Sequence, residues 1–216
     1  MLDATAAYVE SGTRGFDCNF ILSPDKARHY RDQSFAFALR YIRRQHITDH
    51  DLTSSEANDI LDTGLMLGIV QHVESENSWN PSSAKGEAQA VVAVAELQRI
   101  GAPSETQCWL DLEGVNPLVP PKDIVAFCNR WHKILSDAGY ETGLYVGWHC
   151  GLSATELYHD LAISRYWSAY NLNGDETPAV RGVCMKQYAN AGDTSIDVDM
   201  VVRDSLGGLP TFLSRN

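Results

Sequence analysis

The sequence predicts an α/β fold, a compact (β/α)8 TIM-like barrel occupying residues 1–216 as a single domain, with some of its helices short or missing. Three observations carry this reading. Apolar runs rich in β-branched and aromatic residues recur eight times, helical patterns lie between several of them, and the unit repeats every ~20–35 residues, the spacing of parallel strands joined by helical crossovers. Eight strands favour closure over an open doubly wound sheet, and 216 residues suit a small barrel. A hydrophobic content of 44% is enough for a sizeable core.

The eight runs, in order, are "GFDCNF", "FALRYIRR", "MLGIVQHV", "QCWLDLE", "TGLYVGW", "YWSAYN", "VCMKQYA" and "IDVDMVV". The helices between them have readable ends. Ser23 and Pro24 open the first, and Thr53 with Glu56 forms a capping box for the second, which Gly64 stops. The longest, near residues 83–100, ends at Gly101 with Pro103 beyond; the next starts on Pro120 and Pro121 and ends at Gly139. The helices after strands six to eight are the weakest. "NLNGDETPAVRG" reads as a loop, and no internal repeat or low-complexity tract divides the chain.

Composition excludes several functions. No apolar run approaches the ~18 residues of a membrane span, and the opening residues have neither a basic nor an apolar leader segment, so neither membrane insertion nor an export signal is expected. Lys+Arg 17 against Asp+Glu 28 gives a net charge of -11, which repels phosphate backbones and anionic lipid and argues against nucleic acid as a partner. The five cysteines, Cys18, Cys108, Cys128, Cys150 and Cys184, form no C-x-x-C pair and have no histidine at zinc-ligand spacing; they read as reduced, mostly buried thiols. Cys18, or Cys150 beside His149, makes a poor nucleophile candidate, because neighbours along a strand point to opposite faces. No metal and no cofactor is expected.

The chemistry concentrates in carboxylates. In "TQCWLDLEGVNP" the period of a strand puts Asp111, Glu113 and Trp109 on one face, where two acids repel each other and raise at least one pKa. Barrel active sites lie at the C-terminal ends of the strands. Asp17 sits in the first run, Asp197 and Asp199 in the last, and strands one and eight are neighbours in a closed barrel, so these acids gather with Asp111 and Glu113 in one cup. A cup of carboxylates suits glycosidic cleavage, in which one protonated acid serves the leaving oxygen and another carboxylate supports positive charge at the anomeric carbon. It would also suit a divalent cation, but the Gly-rich loop or Arg clamp of phosphoryl chemistry is not visible. Tyr145, Trp148, Trp167 and Tyr170, with Tyr188 and Trp79, supply flat rings for sugar faces. Gln187 is placed to bond a sugar hydroxyl or a catalytic Asp, and Asp199 either joins the site or pairs with Arg203. Tyr41 and Arg43 share a face and read as charge balance, while His72 and His149 read as structural residues.

In their order, "GFDCNF", "CWLDLEG", "GYETGLYVGW", "YWSAYN", "KQYAN" and "SIDVDMV" resemble the glycoside hydrolase family 25 lysozymes and the related glycoside-hydrolase-like domains of unknown function 1906, over nearly the whole chain. "DLTSSEANDILDTGLMLGIV" matches the glycoside-hydrolase-like relatives better than the lysozymes. The resemblance implies Glu113 as general acid, Asp111 beside it raising its pKa or positioning an acetamido group, and Asp17 and Asp197 completing the acidic set. It further implies a bacteriolytic muramidase acting on peptidoglycan glycan strands, monomeric and cofactor-free. Such an enzyme would reach the cell wall or periplasm through a holin, a secretion system or a larger parent protein, with a delivery or immunity partner. Two alternatives stay open: a non-catalytic carbohydrate-binding or structural barrel, and a hydrolase of another β-linked glycan.

Overall fold

The structure, a computed structural model, describes residues 1–44, 48, 50–75, 77–172, 174–189, 192 and 195–215. After a short strand β1 (Thr5–Tyr8) come β2 (Arg14–Cys18), β3 (Phe37–Ile42), β4 (Met66–Gln71), β5 (Gln107–Leu112), β6 (Glu141–Val146), β7 (Tyr166–Ser168), β8 (Met185–Tyr188), β9 (Asp197–Val201) and a final β10 (Thr211–Ser214). Strands β2 to β9 close into a barrel, and each overlaps one of the eight runs read from the sequence, β2 and β6 starting one residue earlier. β1 and β10 form an antiparallel pair outside that circle, joined to it where Leu213 meets Leu67 of β4.

Helices α1 (Pro24–Asp32), α2 (Ser54–Asp62), α3 (Ser83–Ile100), α4 (Pro121–Asp137) and α5 (Ala154–His159) follow β2 to β6 in turn. Only a 3-10 turn at Gly174–Glu176 follows β7, and among the described residues no helix follows β8 or β9, where the sequence signals were weakest. Ser23 caps α1 through its bond from the Lys26 amide, and Gly101 ends α3 at φ 81, in the left-handed region a glycine adopts freely. The expected capping box on α2 is only half made. Thr53 Oγ1 accepts from the Glu56 amide at 3.1 Å, but the Glu56 carboxylate turns inward to take Leu22 N at 2.7 Å and Arg40 Nε at 2.6 Å. The fully buried Arg40 needs that charge more than the helix end does.

One expectation is corrected. The eighth barrel strand, β9, runs antiparallel to both β8 and β2 instead of parallel. The connection over residues 189–196 is too short for the helical crossover of a dozen or more residues that a parallel strand requires. The reversal sets depth in the barrel, because Asp197 at the start of β9 pairs with Asp17 near the end of β2, and Asp199 pairs with Gly15 two residues further down.

The barrel interior is filled by large side chains set against glycines. A methyl group at Gly15 would meet the Phe37 ring at 2.1 Å, one at Gly143 would meet Trp109 at 2.4 Å, and one at Gly68 would meet Phe212 at 2.6 Å. Phe37, Leu39, Val70, Trp109, Trp167 and Met185 form this inner core, while Cys108, Leu110, Leu144 and Tyr166, one residue out of phase, face the helices. All five cysteines are free and buried, and burial pushes the Cys18 and Cys150 thiols up to about 12, which removes either as a nucleophile. No helix among the described residues is long and apolar enough to cross a membrane.

Candidate active site

The C-terminal mouth of the barrel is acidic. β5 is buried along its whole length; it ends at Leu112, so Asp111 closes the inner face of the strand and Glu113 lies one residue past it, half-buried at the rim. The rim is held rigidly. Trp79 Nε1 donates to the Glu113 carbonyl at 2.6 Å, the Gly114 amide donates to Trp148 O at 2.8 Å, and Gly147 N donates to Leu112 O at 3.0 Å. Gly147 lies against Glu113 so closely that a Cβ there would come within 2.4 Å of the Glu113 Cβ. A cavity of about 270 Å³ opens in front of Glu113, lined by Asn77, Trp148 and Asn171.

Asp111 is only 5% exposed. Its Oδ2 accepts from Val73 N at 3.2 Å, and its Oδ1 has no hydrogen-bond partner among the described residues. Burial pushes its carboxyl well above the usual range, the charge of Glu113 adds to the shift, and Arg44 opposes it. Burial therefore favours the protonated form of Asp111 in the free protein.

The opposite side of the cup is a hydrogen-bonded chain. Tyr145 Oη donates to Gln187 Oε1 at 2.8 Å, Gln187 Nε2 donates to Asp17 Oδ2 at 2.9 Å, and Tyr41 Oη donates to Asp17 Oδ1 at 2.9 Å. These bonds fix the Asp17 carboxyl in one orientation, and its acceptor oxygens fix the Gln187 amide. Burial raises the Asp17 pKa to about 6, with the Gln187 bond pulling it down and Asp197 pushing it up. Asp197, directly across from Asp17 in the β2–β9 ladder, is half-buried and likewise raised by burial.

The remaining expected residues divide by depth. Trp148 and Tyr170 are exposed, at 48% and 57%, and present ring surface at the rim. Tyr145 is buried and serves Gln187. Trp167 departs from the expectation: it is fully buried, its ring 4.4 Å from that of Tyr145 and 5.9 Å from that of Trp109, so it forms the floor under the cup and offers no face to a ligand. Asp199 also departs, because antiparallel β9 carries it below Asp17, where it is 0% exposed and reaches no ligand. Its carboxyl is pushed well above the usual range by burial and by Asp17. Arg203, its suggested partner, pairs instead with Glu10 at 3.1 Å, and Arg43, suggested as charge balance at the mouth, pairs outward with Glu96 at 2.7 Å. Tyr188 alternates with inward Gln187 and points outside the barrel. His72 stacks on Tyr41 with ring centroids 4.5 Å apart, and burial holds it neutral with a pKa near 4.

Sequence reasoning gave no role to Arg44, to the Val73 amide, or to Trp79 as a support for Glu113. Arg44 and Val73 lie just past the ends of β3 and β4, where strand parity no longer predicts direction. No group of three or more His, Cys, Asp or Glu side chains among the described residues is arranged to hold a metal ion.

Solved structures share this architecture. A family 25 glycosyl hydrolase from Bacillus anthracis aligns with a TM-score of 0.62 at 15% identity over 92% of this chain and 94% of its own. The Mycobacterium tuberculosis Tat-secreted protein Rv2525c, in complex with L-tartrate, aligns with a TM-score of 0.66 at 15% identity, covering 92% and 99%. A muramidase from Trichobolus zukalii aligns at 0.61 and 16% identity, covering 88% and 93%. At these identities the likeness establishes the fold. No curated protein matches the sequence. The family model for the Rv2525c-like, glycoside hydrolase-like domain matches residues 28–201, most of the barrel and of the chain, and the protein therefore belongs to that family.

Proposed function

We propose that the protein is a glycoside hydrolase of muramidase type, cleaving the glycan strands of peptidoglycan by carboxyl acid catalysis at the barrel mouth. The observation that carries this reading is the arrangement of Glu113 at an open cavity, with Asp111 buried beside it and hydrogen-bonded Asp17 in the same cup. A glycan strand lying across the rim displaces water from Glu113 and leaves two adjacent carboxyls sharing a proton. Glu113, the one that reaches outward, delivers it to the leaving oxygen. Asp17 and Asp111 then supply negative charge beneath the oxocarbenium-like centre, and Asp197 lies within the same field. Trp148 and Tyr170 stack on neighbouring sugars. Structural neighbours named as muramidases and as a family 25 glycosyl hydrolase support this substrate class over other β-linked glycans. The chain acts as a monomer without a cofactor, on the cell wall or in the periplasm once delivered there, and its effect is bacteriolytic.

Digestion of purified peptidoglycan, with the products read by mass spectrometry, tests this. Release of reducing-end muropeptides is expected. Binding to the sacculus without release would turn the protein into a glycan-binding barrel, and cleavage only of chitin-type oligomers would change the substrate.

A further inference from the structure

Arg44, just past the end of β3, is 5% exposed and lies between the supports of the two acids that end β5. Its Nη2 donates to the Asp111 carbonyl at 3.3 Å. Its guanidinium carbon stands 5.4 Å from the centre of the Trp79 ring, the same indole whose Nε1 holds the Glu113 carbonyl. Arg44 Nε and Nη1 have no hydrogen-bond partner among the described residues, and neither has Asp111 Oδ1. The cation thus rests on the Asp111 backbone and not on its carboxyl, with two donor nitrogens of one and an acceptor oxygen of the other left unused.

Unmatched buried polar atoms are costly, most of all on charged groups, and opposite charges left unmatched side by side point to a state in which they meet. Burial lowers the Arg44 pKa only to about 10, so it is a cation at neutral pH. Asp111 is the acid whose charge acts most on it, and Arg44 in turn opposes the effect of burial on Asp111. A cavity of about 340 Å³ between the loops after β2, β3 and β4 gives the guanidinium room to turn. Glu74, which also lines that cavity, is engaged by Lys85 and by Gln89 Nε2 at 2.7 Å.

We propose that Arg44 is a positioning residue for the acid pair, the counter-ion that receives the Asp111 carboxylate when the pair's proton stands on Glu113. Moving the proton breaks the O–H bond of Asp111 and forms one on Glu113. The electron pair stays on the Asp111 oxygen, so the two carboxyls keep one proton and one negative charge between them. An enclosed Asp111 carboxylate without a cation would draw the proton back from Glu113, the acid that opens on the rim cavity. Arg44 Nε or Nη1 on Asp111 Oδ1 offsets that pull with a charge-assisted bond. The catalytic consequence rests on the glycan-hydrolase reading, whereas the coupling of Arg44 to Asp111 needs no turnover.

Besides Glu113, the titratable groups that face Asp111 are Asp17 from β2, Tyr41 from β3 and Tyr145 from β6. Those that face Arg44 are His72 and Glu74 past the end of β4 and Cys128 of α4. Burial keeps both tyrosines, Cys128 and His72 neutral at pH 7, while Asp17 titrates at about 6 and has to be resolved from Asp111 by residue.

Carboxyl carbon NMR of the intact protein, with Asp111→Asn to assign the resonance, reads the Asp111 midpoint. Arg44→Gln is expected to raise it by at least about one pH unit, and Arg44→Lys, which keeps a cation, to return most of that shift. On peptidoglycan, Arg44→Gln should lower kcat at least about tenfold at the wild-type optimum, move the acidic limb of the rate profile to higher pH and leave KM nearly unchanged. A purely structural role would lower the melting temperature and move neither the midpoint nor the acidic limb. An Asp111 midpoint unchanged in Arg44→Gln, or raised as far in Arg44→Lys, overturns the proposal, and so does a shifted midpoint with an unchanged kcat and rate profile. Should Arg44→Gln fail to fold, the Arg44 Nε resonance of wild type decides. It should move with the Asp111 midpoint and lose that step in Asp111→Asn, and a resonance indifferent to Asp111 overturns the pairing. A protein that shows the coupling and leaves peptidoglycan intact overturns the hydrolase reading alone, and one that cleaves without the coupling overturns the role of Arg44 alone.

Discussion

Glu113 and Asp111 show how two residues in one triplet acquire different duties. Strand parity predicts their shared direction, but depth separates their surroundings: Asp111 is enclosed by the barrel and Glu113 stands at the rim. Glu113→Gln keeps the shape and cannot donate a proton, so a rate loss of ~10²–10⁴-fold with an unchanged melting temperature is expected, and retention of more than about a tenth of the rate would remove Glu113 as the acid. Asp17 makes a different prediction. Its folded pKa of about 6 lies above the ordinary 3.8, so between these values the folded state holds more protons than the unfolded one, and its contribution to stability is present below pH 3.8 and lost as pH rises through 6. The full effect is on the order of 3 kcal/mol, since a tenfold change in proton affinity corresponds to about 1.4 kcal/mol. Asp17→Asn should therefore hold or raise the melting temperature at neutral pH, flatten its dependence between the two pKa values, and lower activity more than about tenfold. A melting curve as pH-dependent as wild type would contradict the assigned cause. Parity names a face and says nothing of the layer within a barrel, and for that reason Trp167 and Asp199 were legible as inward-facing but not as buried floor.

At the scale of elements, the eight barrel strands and the first four helices were legible because their boundaries are chemical: Ser23 before Pro24, Gly101 after Ile100, Gly139 after α4. What stayed hidden depends on contacts distant in sequence. The four-residue strands β1 and β10 are too short to show a period, and they exist because they pair with each other. The reversal of β9 follows from the length of its connection and could have been read from the residues between "KQYAN" and "SIDVDMV". The end of β6 offers a sharper test of how elements hold the site. Gly147 follows Val146 directly and leaves no room for a side chain against Glu113. Gly147→Ala should push the Glu113 side chain aside, lowering kcat at least about tenfold while KM changes little and the fold is kept, because a misplaced acid loses its alignment before the substrate loses its contacts. A crystal structure of the variant with Glu113 undisplaced, or an unchanged kcat, would show that the rim has slack.

For the molecule as a whole, the ends of the barrel do different work. The mouth gathers carboxyls whose burial disfavours their charged forms, and the other end has to supply stability. Phe212 of β10 enters there, its ring tilted against that of Phe37 with centroids 4.4 Å apart and filling the space that Gly68 leaves open, with only 2% of its surface exposed. It thus closes the floor from a strand outside the barrel circle, while Leu213 ties that strand to β4. Replacing it with alanine removes a ring from a closed core whose walls are held by strand pairing, so little collapse can offset the cavity. Phe212→Ala should cost ~3–5 kcal/mol in denaturant unfolding. The acids stand at the far end, beyond the Trp109 and Trp167 layer, and their geometry depends on local bonds from Trp79, Val73, Tyr41 and Gln187. The variant should accordingly show a clearly lowered melting temperature and, well below it, the wild-type kcat per folded molecule. A kcat that fell more than about threefold under those conditions would mean that the floor and the mouth are mechanically coupled, and that the site's geometry is a property of the whole barrel instead of its rim.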